Sequence, residues 1–207
     1  HTQKGFLMRY QSIMLDAFGT VAYINPELQN PYKHLSGYTS DRLFFRKSLL
    51  TKPIKDLENF FGVTFSPPHK KYYETSLSAQ VNSIKLYDDT INALKKFRLA
   101  GMKIAVVSNL AYPFGEPIQK LFGNYVDHFV FSYEADCAKP DARIYKIALE
   151  KLQTTAGQTV MVGDTKKADY TGPRNLGIDA YWLRRNAMEL AEHQVSNLSQ
   201  LTEKIIA

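Results

Sequence analysis

Cysteine is nearly missing from this chain: Cys137 is the single one, so no internal disulfide can form and the usage fits a reducing compartment. It lies two residues before Lys139, but no partner base accompanies it, and it reads as a buried or incidental thiol. No apolar run approaches the ~18–20 residues needed to span a bilayer. No charged end followed by an apolar stretch marks a secretory signal; Met8 would serve as a natural start, in which case residues 1–7 would include expression residue, and the residues alone leave both open. A soluble, cytoplasmic protein without a membrane partner is the expectation. Internal repeats, low-complexity tracts and clustered basic residues are also missing. The formal charge of +6 is dispersed along the chain, which suits small anionic ligands and argues against nucleic acid.

What is present is an ordinary globular composition, 44% hydrophobic and 22% charged, over 207 residues. That length can bury one good core with a small inserted module. A strand pattern at 10–15 is followed by helical stretches at 40–50, 53–61 and 67–79 or a little beyond. Ser40 and Asp41 suit caps, Pro53 suits a first turn, and Ser66, Pro67 and Pro68 mark a break. From about residue 86 strands and helices alternate. Helix 89–100 carries Ile91, Leu94, Phe97 and Leu99 on its apolar side and ends at Gly101. Strands are expected at 103–107, 129–131, 159–162 and 180–183, and helices at 113–122, 142–152, 166–176 and 198–206. Such alternation predicts an α/β fold, a parallel sheet with helices on both faces. The core would comprise residues 1–22 and 86–207, and residues 23–85 would form a small helical insert.

Four stretches carry chemistry. The first strand pattern ends in Asp16, Ala17, Phe18, Gly19 and Thr20, which places a carboxylate at a strand tip, the edge where open α/β sheets bind ligands. The second ends a buried strand in Ser108 and Asn109. The third sets Lys139 beside Pro140 and Asp141, a helix opening. The fourth ends an apolar strand in Gly163 and Asp164, with Asp169 further on. Singly, each has a plain explanation: an Asx turn, a helix cap, a solvated lysine, a turn aspartate. Together, and in this order, they point to one site.

In that order the four stretches resemble the haloacid dehalogenase superfamily, over about 10–22 and 86–185. Its motifs are D-x-x-x-T, a Ser/Thr after the next core strand, a Lys before a helix, and G-D-x-x-x-x-D. The resemblance implies a Rossmann-like core, with residues 23–85 as a helical cap closing over the site, or else as a passive decoration. It implies Asp16 as a nucleophile that forms a covalent aspartyl intermediate. Thr20, Ser108 and Asn109 would bind the transferring group, and Lys139 would hold Asp16 ionised. Asp16, the Phe18 carbonyl and Asp164 would ligate Mg²⁺. Asp169 would support that shell, as a ligand or as a hydrogen-bond partner.

One position departs from the phosphatases of the family, which place a second Asp, the general acid and base, where this chain has Phe18. Three readings follow. The chain is a Mg²⁺-dependent phosphatase of small phosphorylated metabolites with impaired or specialised acid/base chemistry; a non-catalytic protein binding a phosphate ligand or a partner; or a 2-haloacid dehalogenase, with Arg42 or Arg46 holding the substrate carboxylate. Asp16–Thr20 resembles the dehalogenases, in which an aromatic residue stands at this place. Gly163 and Asp164 resemble the phosphatases, since halide displacement has no use for a divalent cation. The phosphatase stands first on that account.

Overall fold

The computed structural model describes residues 9–206; Met8 and the residues before it lie outside them. In chain order the elements are β1 (Ser12–Leu15), β2 (Ala22–Tyr23), α1 (Arg42–Thr51), α2 (Leu57–Phe61), α3 (Pro67–Asn82) and β3 (Lys85–Leu86). There follow α4 (Thr90–Leu99), β4 (Lys103–Ser108), α5 (Gly115–Phe122), β5 (His128–Phe131), α6 (Ser132–Ala135) and α7 (Ala142–Leu152). The last are β6 (Thr159–Gly163), α8 (Gly172–Arg174), β7 (Asp179–Leu183), β8 (Gln194–Val195) and α9 (Leu198–Ile206).

Six strands form one parallel sheet in the order β5-β4-β1-β6-β7-β8. Successive strand side chains point to opposite faces, and here both faces are covered. Ile13 and Leu15 join Ile104, Val106, Val160 and Val162 in one core, under Leu94 and Phe97 of α4 and Leu201 of α9. Met14, Ala105, Val107 and Met161 face the other way, against Ile144, Tyr145, Ala148 and Leu152 of α7. The expected α/β class is what the chain adopts.

Residues between β2 and β3 form a separate helical module with its own apolar cluster of Leu35, Phe45, Leu49, Ile54, Leu57 and Phe65. β2 and β3 pair antiparallel, Ala22 with Leu86 and Tyr23 with Lys85, so the chain leaves and re-enters the core through one short ribbon.

Three local expectations are corrected. Pro53 opens no helix: α2 starts at Leu57, because the Asp56 side chain accepts from the Asn59 N–H and Ile54 is drawn into the module's core. Residues 166–176 are not one α-helix but a wider π turn over Lys166–Thr171 followed by α8, and the turn carries Ala168 and Asp169 inward. Leu99 is 88% exposed, because Ala93, Leu94 and Phe97 define the buried face of α4 and Leu99 falls off it. Among the described residues no helix is long and apolar enough to cross a membrane.

Arg185 joins the loop after β1 to the ribbon. Its guanidinium makes two 3.1 Å contacts with Asp89, donates to the Thr20 carbonyl at 2.6 Å, and stacks 3.8 Å over the Tyr87 ring. Val21, next along, accepts from the Thr90 hydroxyl and from the Tyr87 N–H. Arg185→Ala removes several charge-assisted hydrogen bonds at once and is expected to cost about 2–3 kcal/mol in a urea melt, with Arg185→Lys recovering part of it.

Candidate active site

The parallel registers bring distant residues together. Leu15 pairs with Val106 on one side and Val162 on the other, so the chain ends of β4, β1 and β6 emerge side by side at one sheet edge. Asp16 stands there between Ser108 and the Gly163–Asp164 step. The Ser108 hydroxyl donates to Asp16 Oδ1 at 3.1 Å from 92 residues away. Lys139 reaches the same oxygen at 2.7 Å across 123 residues, and its Nζ also donates to Asp169 Oδ1 at 2.6 Å. The Lys139 side chain is 1% exposed. Asn109 holds this lysine by its backbone: the amide nitrogen donates to the Lys139 carbonyl at 2.8 Å, and the amide oxygen accepts from its N–H at 2.7 Å.

Electrostatics follow from this packing. Burial alone would lower the Lys139 pKa, but Asp16 and Asp169 outweigh it and lift the ammonium above the ordinary lysine value. Burial raises the Asp169 carboxyl, with Lys139 pulling against it; both its oxygens are engaged, Oδ2 by the Thr165 N–H at 2.9 Å. Burial and then the charge of Asp16 raise Asp164. Two glycines permit these approaches. A Cβ on Gly19, whose φ is +83°, would lie 2.2 Å from Asp164 Oδ2, and one on Gly163 would lie 2.3 Å from Asp169 Cγ.

Asp16, Asp164 and Asp169 each offer an oxygen within 4.8 Å of the others. Three hard carboxylate donors at that spacing fit a divalent cation such as Mg²⁺. Asp16 and Asp164 suit direct ligation, since among the described residues the hydrogen bonds above occupy only Oδ1 of Asp16, and the Asp164 carboxylate takes only the Thr165 hydroxyl at 3.3 Å. Asp169, committed to Lys139 and Thr165, suits a supporting place.

A prediction follows from the raised Asp164 carboxyl. A folded pKa above the unfolded one makes ionisation costly in the fold, so stability falls as pH rises through that window and stays lower at neutral pH. Asp164→Asn is therefore expected to raise the melting temperature of metal-free protein at pH 7, with the gain fading below about pH 4, the ordinary Asp range. Added Mg²⁺ is expected to stabilise the wild type and leave the variant nearly unmoved. Equal responses to Mg²⁺ would remove Asp164 from the site.

Of the expected site residues, the structure brings Asp16, Ser108, Lys139, Asp164 and Asp169 to one place, on the wall of a cavity of about 730 Å³. Thr20 is the correction. It is fully buried, does not line the cavity, and its hydroxyl has no hydrogen-bond partner among the described residues. Asn109 lines the cavity, and its amide holds the Lys139 backbone through its oxygen and one N–H, which positions the lysine and keeps the second N–H uncommitted among the described residues. Phe18 lines the wall with its ring edge-to-face on Phe114, centroids 5.8 Å apart. Arg42 and Arg46 of α1 also line the cavity. Sequence reasoning missed Thr165, which holds Asp169, and Trp182, whose indole N–H donates to the Asp164 carbonyl at 2.8 Å. Trp182 follows from the β6–β7 register, which sets it beside Gly163; the residues alone carry no such signal.

The sequence model of the haloacid dehalogenase-like hydrolases matches residues 13–177. The haloacid dehalogenase-like hydrolase domain-containing protein 3 of Danio rerio is 33% identical over 130 residues, 58% of this chain and 53% of that protein. The ribulose-1,5-bisphosphate 5-phosphatase of Halopiger xanaduensis is 25% identical over 143 residues, 62% of this chain and 60% of that protein. The chain thus spans little more than half the length of these two curated relatives. Among solved structures, a dehalogenase with an intermediate complex superposes with a TM-score of 0.67 at 16% identity, covering 97% of this chain and 99% of that one. The enzyme bt-2542 of Bacteroides thetaiotaomicron, in complex with magnesium and inorganic phosphate, superposes with a TM-score of 0.63 at 19% identity, covering 89% and 98%. At those identities both likenesses concern the fold.

Proposed function

This chain belongs to the haloacid dehalogenase-like hydrolase family, and we propose that it is a Mg²⁺-dependent phosphatase acting on a small phosphorylated metabolite in the cytoplasm. The observation that carries the reading is the acidic end of β6. Asp164 stands within reach of Asp16 and has a free carboxylate oxygen, a donor pair that suits a hard cation and has no use in halide displacement. The phosphatase among the relatives supports it.

In this mechanism Asp16 attacks phosphorus, the bond to the leaving oxygen breaks, and an aspartyl phosphate forms. Water then attacks that phosphorus, giving inorganic phosphate and the free carboxylate. Lys139 keeps Asp16 ionised, and Ser108, released from Asp16, donates to a phosphoryl oxygen. Asp169 and Asn109 hold Lys139 in place. A Mg²⁺ held by Asp16, Asp164 and the Phe18 carbonyl would neutralise charge on the phosphoryl oxygens. Thr20 acts by closing the loop under Asp16. Residues 23–85 serve as a cap over the core of 1–22 and 86–207, excluding water and choosing the substrate.

Phe18 sets the limits. Without a positioned acid, an alkoxide leaving group forgoes the ~10²–10⁴-fold that general acid catalysis supplies. The enzyme is therefore slow, or takes substrates whose leaving group needs no proton. The same ring favours a second reading, a phosphate-binding protein without turnover. Phe18→Asp tests between them: turnover of alkyl phosphates should rise, by less than that full factor, and turnover of aryl phosphates should rise less. The loss of the Phe114 contact makes a folding check necessary. A binding protein would turn over neither substrate class at any Mg²⁺ concentration. A dehalogenase would lose haloacid turnover, through repulsion of its anionic substrate.

A further inference from the structure

Asp164 lies one residue beyond the end of β6, outside the sheet ladder that fixes the strand. Among the described residues its carboxylate has a single hydrogen bond, from the neighbouring Thr165 hydroxyl at 3.3 Å. Burial and the charge of Asp16 both work against that carboxylate where it stands. What keeps it turned toward Asp16 is therefore its backbone. The peptide unit between Asp164 and Thr165 is gripped at both ends. Its carbonyl accepts from the Trp182 indole N–H at 2.8 Å, and its N–H donates to Asp169 Oδ2 at 2.9 Å. A peptide is planar, so holding its oxygen and its N–H fixes the plane and with it the direction in which the Asp164 side chain leaves the chain.

Trp182 is itself held at this place. The β6–β7 register pairs it with Gly163, which sets the indole beside the strand end. Lys166, two residues past Asp164, brings its ammonium 5.2 Å from the ring centroid, and the Arg184 guanidinium lies 4.9 Å from it. Both cations are attracted to the π face of the indole, so the ring is anchored to the ends of β6 and β7 at once. On the inner side the bonds run on from Asp169 through Lys139 to Asp16. Trp182 does not line the cavity, so it meets neither the cation nor the substrate. We propose that Trp182 is a positioning residue for the divalent cation: its indole N–H sets the Asp164 peptide so that the Asp164 carboxylate takes the ion together with Asp16. The proposal rests on the Mg²⁺ site of the phosphatase reading and adds to it a residue outside the four stretches that carry the chemistry.

Trp182→Phe separates this role from packing, because phenylalanine keeps a ring for Lys166 and Arg184 but has no N–H to donate. Calorimetry should find Mg²⁺ bound ~10–100-fold more weakly than by the wild type, the range for partners that orient metal ligands. Linkage supplies a second test on the unaltered chain. If the indole bond favours Mg²⁺, then Mg²⁺ must favour the indole bond by the same factor. Trp182 is the single tryptophan, so its indole N–H gives one ¹H–¹⁵N signal to follow. Exchange of that proton with solvent should slow as Mg²⁺ saturates the wild type, and should stay unchanged by Mg²⁺ in Asp164→Asn. Folded Trp182→Phe protein that binds Mg²⁺ within about twofold of the wild type overturns the proposal. So does an indole exchange rate indifferent to saturating Mg²⁺, which is decisive if the variant does not fold. Wild-type protein that binds no Mg²⁺ overturns this proposal and the metal-dependent phosphatase reading together.

Discussion

Replacement of Asp16 by Asn is expected to abolish hydrolysis, by ~10⁴-fold or more, as loss of a covalent nucleophile does. The fold should survive. An amide oxygen in the place of Oδ1 still accepts from Ser108 and Lys139, and Lys139 keeps Asp169 as its counter-charge. Turnover and thermal melting, taken on one preparation, check the two halves together. Retained turnover at an unchanged melting temperature would remove Asp16 from the mechanism.

The second large effect belongs to Lys139, and it falls on stability as well as rate. Lys139→Met leaves Asp16 and Asp169 side by side in the interior with no cation between them. Breaking a buried pair on one side costs about 3–5 kcal/mol, on the order of 10 °C in melting temperature for a domain of this size. Adding Asp169→Asn removes one stranded charge and should recover much of that loss, while activity stays absent. The pH dependence has a definite sign. The Lys139 pKa is raised in the fold, so its stabilisation is fully present below the ordinary lysine value, about 10.4, and is lost as pH rises through the higher folded value. The gap between wild type and variant should shrink in strong alkali. It should also shrink as pH falls through neutrality, because burial already raises the Asp169 carboxyl to about 6 against the pull of Lys139, and without that lysine it protonates at higher pH still. A variant as stable as the wild type at pH 7 would contradict the buried triad.

The sheet was legible because its central strands are buried on both faces and read as unbroken apolar runs, as at Ile104–Val107 and Val160–Val162. The nucleophile, the lysine and the acidic strand end were legible as charges placed where apolar runs stop. Less legible were features set by partners far along the chain. The β2–β3 ribbon joins two dipeptides 62 residues apart and carries no local signal. Thr20 and Asn109 carry the expected residue types, but which way each side chain turns depends on the packing of the Asp16 loop and on the Lys139 backbone. The π turn at Lys166–Thr171 also reads as a helix, since its period differs from α only where Asp169 must reach Lys139 and Thr165.

The central claim is that Asp16 forms an aspartyl phosphate that water opens at phosphorus. Rapid quench during turnover of p-nitrophenyl phosphate in Mg²⁺, then borohydride reduction and mass spectrometry, reads the intermediate: an aspartyl phosphate at Asp16 is reduced to homoserine, whereas direct attack of water on the substrate leaves Asp16 unreduced and would contradict the account. Turnover in ¹⁸O-labelled water, with p-nitrophenyl phosphate and with 2-chloropropionate as separate substrates, then reads where water attacks, from the released product and the peptide carrying Asp16. Attack of water on phosphorus puts the label in inorganic phosphate and leaves Asp16 unlabelled, the predicted result with the aryl phosphate in Mg²⁺. Label in the Asp16 carboxylate after reaction with the haloacid would mean an alkyl ester opened at its carbonyl carbon, a dehalogenase, and would contradict the phosphatase account.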